Sequence, residues 1–102
     1  MQINDLVKIS YETASSKGWH DKERDVPELL CLMHSEISEA LEDHRKGLQP
    51  NQITLEAKKG KPNKPGGIPI ELADVIIRIA DFCGMHGIDL DRAIQLKLNY
   101  NE

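Results

Sequence analysis

The sequence predicts an all-α protein of the four-helix-bundle type. Three observations carry that expectation. Four segments place apolar residues at helical spacing. Most of them are bounded by capping or stop residues. No stretch shows the convincing apolar/polar alternation of a strand.

The first helix is expected from about Ile3 to Lys17, where Ile3, Leu6, Val7, Ser10 and Ala14 share a face. Gly18 is its natural stop. The second opens at Asp25, a capping side chain, with Pro27 early in the helix and Glu28 third after the cap. It runs to Gly47. The third starts around Pro69 and ends near Gly84 or Gly87. The fourth is capped by Asp89 and continues through "LDRAIQLKLNYNE".

Between the second and third helices lies a Lys/Pro/Gly-rich stretch, about 48–68, with Lys58, Lys59, Lys61 and Lys64. It is expected as a flexible loop, either a solvated linker or a lid bringing lysines to an anionic ligand. Only Gln52 to Ala57 offers a short extended piece.

The chain has 102 residues, the length of one domain with a modest core. Aromatic residues make up 4%, so Leu, Ile, Val, Ala and Met must fill the core. A net charge of -4 argues against a broad phosphate-backbone face, and hence against a nucleic-acid partner. No apolar run is long enough to span a bilayer, and the N-terminal segment lacks the order of a signal peptide. Cys31 and Cys83 are too few for a secreted disulfide scaffold. The expected location is cytoplasmic, with reduced thiols.

The stretch "IELADVIIRIAD" carries the chemistry. On a wheel of about 100° per residue, Glu71, Asp74, Arg78 and Asp81 fall within about 80° of one another. The rest of the circumference is apolar, which predicts a helix buried nearly all round except for one acidic stripe. The second helix has a matching stripe of Glu36, Glu39, Asp43 and, less centrally, Glu42. Either stripe alone fits a solvated face. Two that meet would repel, each pair of charges at about 4 Å costing on the order of 4 kcal/mol at an effective dielectric near 20. Protonation, basic partners or divalent cations must offset that cost. Arg78 and Lys97 are too few for the whole group. Oxygen-only ligands favour Mg²⁺ or Mn²⁺, which leave positions open for water and phosphate oxygens. A polyphosphate substrate follows.

The segments "EISEALEDHRKG" and "GIPIELADVIIRIADFCGMHGIDLDRAIQLKLNYNE" resemble the MazG-like branch of the all-α nucleoside triphosphate pyrophosphatases, a superfamily that includes the dimeric dUTPases. The resemblance covers nearly the whole chain. It rests on Glu36-x-x-Glu39, Glu71-x-x-Asp74 and the late pair Lys97 and Asn101. It implies Mg²⁺-dependent hydrolysis of nucleoside triphosphates to the monophosphate and pyrophosphate, with two or more ions per site. It implies that Glu36, Glu39, Glu71 and Asp74 bind the metals, or that one glutamate, foremost Glu39, orients the attacking water instead. It implies that Lys97 binds phosphate, that Asn101 binds phosphate or sugar, and that the chain forms a homodimer or homotetramer. This sequence departs from the family in its longer spacing between the acidic pairs and in ending just after Asn101, where relatives continue with a basic tail.

Trp19 is a candidate for stacking on a base and, equally, for plugging a helix junction. His20 and Arg24 are weaker candidates for the same pocket. Arg78, one turn from Asp74, is a candidate for substrate contact or for a salt bridge within the site. Two rivals to the enzyme remain open. One is structural zinc held by Cys31, His34, Cys83 and His86. The other is a non-catalytic helical binding or assembly module with the acids in a solvated groove. A di-iron bundle would need Glu-x-x-His pairs, which the chain lacks.

Overall fold

The computed structural model describes residues 2–102, with Lys58 as backbone only. The described residues are mostly helical, with one small sheet: α1 (Ile3–Ser16), a 3-10 turn (Trp19–Asp21), α2 (Val26–Arg45), β1 (Thr54–Lys58), β2 (Lys61–Gly66), α3 (Ile68–His86) and α4 (Leu90–Asn101). All four expected helices are present. No helix is long and apolar enough to cross a membrane. The chain divides into two compact units, Met1–Leu29 with Ile77–Glu102, and Leu30–Ile76.

In the first unit, Val7 of α1 packs with Ala80 and Cys83 of α3, joined by Leu6, Ile79 and Leu90. Two caps act as the sequence predicts. The Asp25 side chain accepts from the Glu28 amide at 2.9 Å, and the Asp89 side chain accepts from the Arg92 amide at 3.0 Å. Asn4 donates to Asp89 at 3.1 Å and accepts from the Asp91 amide at 3.3 Å, tying the start of α1 to the start of α4. The Asn4 hydrogen bond and then the Arg92 amide hold the Asp89 carboxyl below its usual range. At Gly84, a Cβ would stand 2.5 Å from the Cβ of Tyr11, so the absence of a side chain lets Tyr11 lie against α3.

Asp81 is buried in this unit. Its Oδ1 lies 2.8 Å from His20 Nε2, and the His20 ring packs against Tyr11 with centroids 5.0 Å apart. A buried carboxylate needs such a partner. Asp81 thus anchors the 3-10 turn to α3. His20→Ala should leave Asp81 without this partner and lower stability by roughly 1–3 kcal/mol, read as a fall in Tm.

The second unit corrects two expectations. The stretch 48–68 is not simply a flexible loop. It folds into an antiparallel hairpin, pairing Thr54 with Gly66, Leu55 with Pro65, Glu56 with Lys64 and Lys58 with Lys61. Pro62 and Pro65 suggest a break in the sequence. In a two-stranded sheet, however, each strand has a free edge, where a missing N–H costs no ladder bond. The other correction concerns α3. Its apolar surface is not buried nearly all round, because Leu72, Ile76 and Ile77 are exposed.

Gly67 joins the hairpin to α3. Its φ is 102°, and a Cβ there would lie 2.3 Å from the Gln52 carbonyl oxygen. Its own carbonyl accepts from the Ile70 and Glu71 amides at 3.1 and 3.0 Å, starting the helix that carries Glu71. Gly67→Ala combines left-handed strain with a backbone clash. It should cost on the order of 1–3 kcal/mol, measured by denaturant unfolding.

Candidate metal centre

The carboxylates sit on α2 and α3 because both helices place them one turn apart. Glu36 and Glu39, then Asp43, follow each other along α2, and Glu71 and Asp74 along α3. Within the second unit these stripes meet. One carboxylate oxygen from each of Glu36, Glu71 and Asp74 lies within 4.8 Å of the other two. Among the described residues this is the one grouping of three or more metal-type side chains. Glu36 is buried and Glu71 partly so.

Glu39 stands just outside that trio and hydrogen-bonds to the Glu71 side chain. Two carboxyl groups can share such a bond only if one keeps its proton. Glu71 is the one that keeps it. Burial first, then the hydrogen bond to Glu39 and the charges of Glu39, Asp74 and Asp43, push its pKa up to about 7. A proton held on Glu71 relieves part of the acidic cluster's own repulsion. Among the described residues, two buried side-chain oxygens remain without a hydrogen-bond partner, Glu71 Oε2 and Asp43 Oδ2. Glu42 lies apart from this arrangement, ion-paired with Arg45 at 2.6 Å.

The donor set fits a hard divalent cation. Opposite ligands stand about 4.2 Å apart across Mg²⁺ and about 5 Å apart across Ca²⁺, so oxygens within 4.8 Å of one another can share one ion. The orphaned Glu71 Oε2 is a ready acceptor for it.

The other expected site residues belong to the first unit. The Trp19 ring carries the Arg24 guanidinium 3.8 Å from its centroid and that of Arg78 at 5.2 Å. Arg24 also donates to the Trp19 carbonyl and pairs with Glu28 at 3.8 Å. Trp19 is thus engaged by two cations. Lys97 Nζ rests 4.9 Å from the Tyr100 ring centroid, and Asn101 ends α4 as an exposed residue. Cys83 is packed in the apolar core, where burial raises its pKa, and neither Cys-x-x-His pair belongs to a metal-type group among the described residues. His86 instead packs on Phe82, with centroids 4.5 Å apart.

The sequence marks Asp43 as part of the α2 stripe but gives it no role. Its spacing, four residues after Glu39 and seven after Glu36, was the available signal. The proton shared by Glu71 and Glu39 has no sequence signature, because it depends on how close two helices come.

Searches against family models, curated proteins and solved structures return no match for this chain.

The raised Glu71 pKa sets a pH dependence. The folded state holds a proton that the unfolded state releases near 4.5, so metal-free stability falls as pH rises from about 4.5 through about 7. In EDTA, the wild-type Tm should drop by a few degrees more than that of Glu71→Gln between those limits. Equal pH slopes for the two proteins would contradict the shared proton.

Proposed function

We propose that the chain is a Mg²⁺-dependent pyrophosphohydrolase that converts a nucleoside or deoxynucleoside triphosphate and water to the monophosphate and pyrophosphate. The observation that carries this reading is the meeting of Glu36, Glu71 and Asp74, with an orphaned Glu71 oxygen among them. The reaction class comes from the resemblance of the two acidic pairs and of Lys97 and Asn101 to the MazG-like pattern.

Bound Mg²⁺ would neutralise phosphate charge and lower the pKa of a water. The chain's own residues do the remaining work. Glu36, Glu71 and Asp74 hold the cation. Holding the cation would require Glu71 in its ionised form, so Glu71 would give up the proton it keeps up to a pH of about 7. Glu39 is then free to accept a proton from the attacking water and to orient it toward the phosphorus. Asp43, whose Oδ2 is buried without a hydrogen-bond partner, would support a second ion. The low aqueous exposure of Glu36 strengthens these charge interactions.

Two measurements test it. Mn²⁺ titration followed by electron paramagnetic resonance should show binding that tightens as pH rises through about 7, and Glu36→Gln should weaken it by about tenfold or more. Ion-exchange analysis of a nucleotide panel with Mg²⁺ should show monophosphate and pyrophosphate from wild type. Glu39→Gln should slow that reaction by roughly 10²-fold or more. Diphosphate and phosphate as products would reject the assigned cut. Folded, Mn²⁺-competent protein that turns over no nucleotide would favour the binding-module reading.

A further inference from the structure

The two edges of the hairpin differ. Pro65 stands opposite Leu55. In an antiparallel ladder, opposed residues either exchange both N–H···O bonds or turn those groups outward. Pro65 has no N–H to exchange, so this pair is of the outward kind. The Leu55 N–H and C=O therefore face away from β2, along the outer edge of β1. Two residues on, Ala57 repeats that direction. Among the described residues, no backbone hydrogen bond from outside the hairpin reaches Leu55 or Ala57. The β2 edge is blunted instead. It carries Pro62 and Pro65, and its register with β1 shifts between Glu56 and Lys58. An edge made only to be left alone would also avoid exposed apolar side chains. On the β1 side, Leu55 is 68% exposed and Ile53, just before the strand, 57%.

Charge indicates what pairs with this edge. Residues 53–66 hold four lysines and one glutamate, in a chain of net charge -4. Lys59, Lys61 and Lys64 are exposed, and none forms an ion pair among the described residues. A second hairpin with the same excess charge would be repelled. A nucleic-acid strand would meet the lysines and leave the outward C=O groups without donors. An extended polypeptide supplies both donors and acceptors at the right spacing. As a third strand it would lie about 5 Å from β1 and about 10 Å from β2, within one Debye length of the lysines on both.

We propose that the outer edge of β1 takes up an extended acidic segment of another protein as a third strand. Leu55 and Ala57 exchange main-chain hydrogen bonds with it, and Lys59, Lys61 and Lys64 supply the counter-charge. The hairpin is then a docking arm on the unit that bears the acidic cluster. Docking needs no metal and is tested in EDTA.

The probe is a capped, fluorescein-labelled peptide of alternating glutamate and valine, about seven residues long, titrated against the whole chain. Anisotropy should show saturable binding, at least about tenfold tighter than that of the matching lysine–valine peptide. Raising salt from about 50 to 300 mM should weaken it severalfold. At saturating peptide, hydrogen exchange of the Leu55 amide, read by NMR, should slow by about tenfold or more. Leu55→Pro deletes that outward donor, keeps the bonds to β2 and should weaken binding to a similar degree. No saturable binding of the glutamate–valine peptide up to about 1 mM would overturn the proposal. So would binding that leaves the Leu55 amide unprotected, because charge alone would then hold the peptide. That measurement uses the wild type and decides the matter even if Leu55→Pro loses the hairpin. So would a thymidine oligonucleotide of equal charge that binds as tightly as the peptide. So would Leu55 protection that grows with protein concentration alone, because the occupant would then be a second copy. Protein that docks the acidic peptide and binds no Mn²⁺ supports this proposal and rejects the metal reading, so the two fail separately.

Discussion

The repulsion among carboxylates in the second unit is the constraint to which the rest of that unit answers. Glu36, Glu39, Asp43, Glu71 and Asp74 are borne by two helices, and within this unit Ala40 is the one buried hydrophobic side chain among the described residues. The cluster lowers its own cost in one visible way, by leaving a proton on Glu71. That arrangement is half a solution. It leaves Glu71 Oε2 and Asp43 Oδ2 buried without partners. A cation would serve both needs, since it satisfies the orphaned oxygens and cancels the charge that a second proton would otherwise have to cancel.

The first unit shows the contrast. There a buried acid is settled by protein alone. Asp81 has His20 at 2.8 Å, and the apolar residues around Val7, Ala80 and Cys83 close over the junction. Asp81 and Glu71 belong to the same acidic stripe of α3 and look alike in sequence. Their partners separate them. One meets an imidazole and becomes an anchor. The other meets a carboxylate and becomes a titrating group. Burial of an acid is therefore uninformative until its partner is known.

Much of the architecture was legible in the residues. The two Asp caps and the helical spacing fix α2 and α4 to within a few positions, and the Glu-x-x-Glu and Glu-x-x-Asp spacings announce the acids that converge. Three features were not legible, each for a physical reason. β2 hides behind Pro62 and Pro65, because an edge strand forgives what a central strand would not. The His20–Asp81 tie joins residues 61 positions apart, beyond any local pattern. The exposure of Leu72 and Ile76 reverses the expected burial, because hydrophobic spacing records that a face is to be covered and not by which chain.

The last of these ties the acidic stripe to the apolar stripe beside it. On both helices the acidic stripe and the exposed apolar stripe are separated by about a third of a turn, so one helix rotation sets both. Covering Leu30, Ile37 and Leu41 fixes how α2 is turned, and with it the direction of Glu36. Covering Leu72 and Ile76 does the same for α3 and Glu71. Loosening the apolar contact would let the helices turn or part until the carboxylates ceased to repel. The hairpin and Gly67 limit that freedom at one end, where the Gly67 carbonyl accepts from the Glu71 amide. Apolar cover and charge geometry are in this sense one property of the same two helices. A substitution on the apolar stripe should therefore alter cation affinity without touching a ligand.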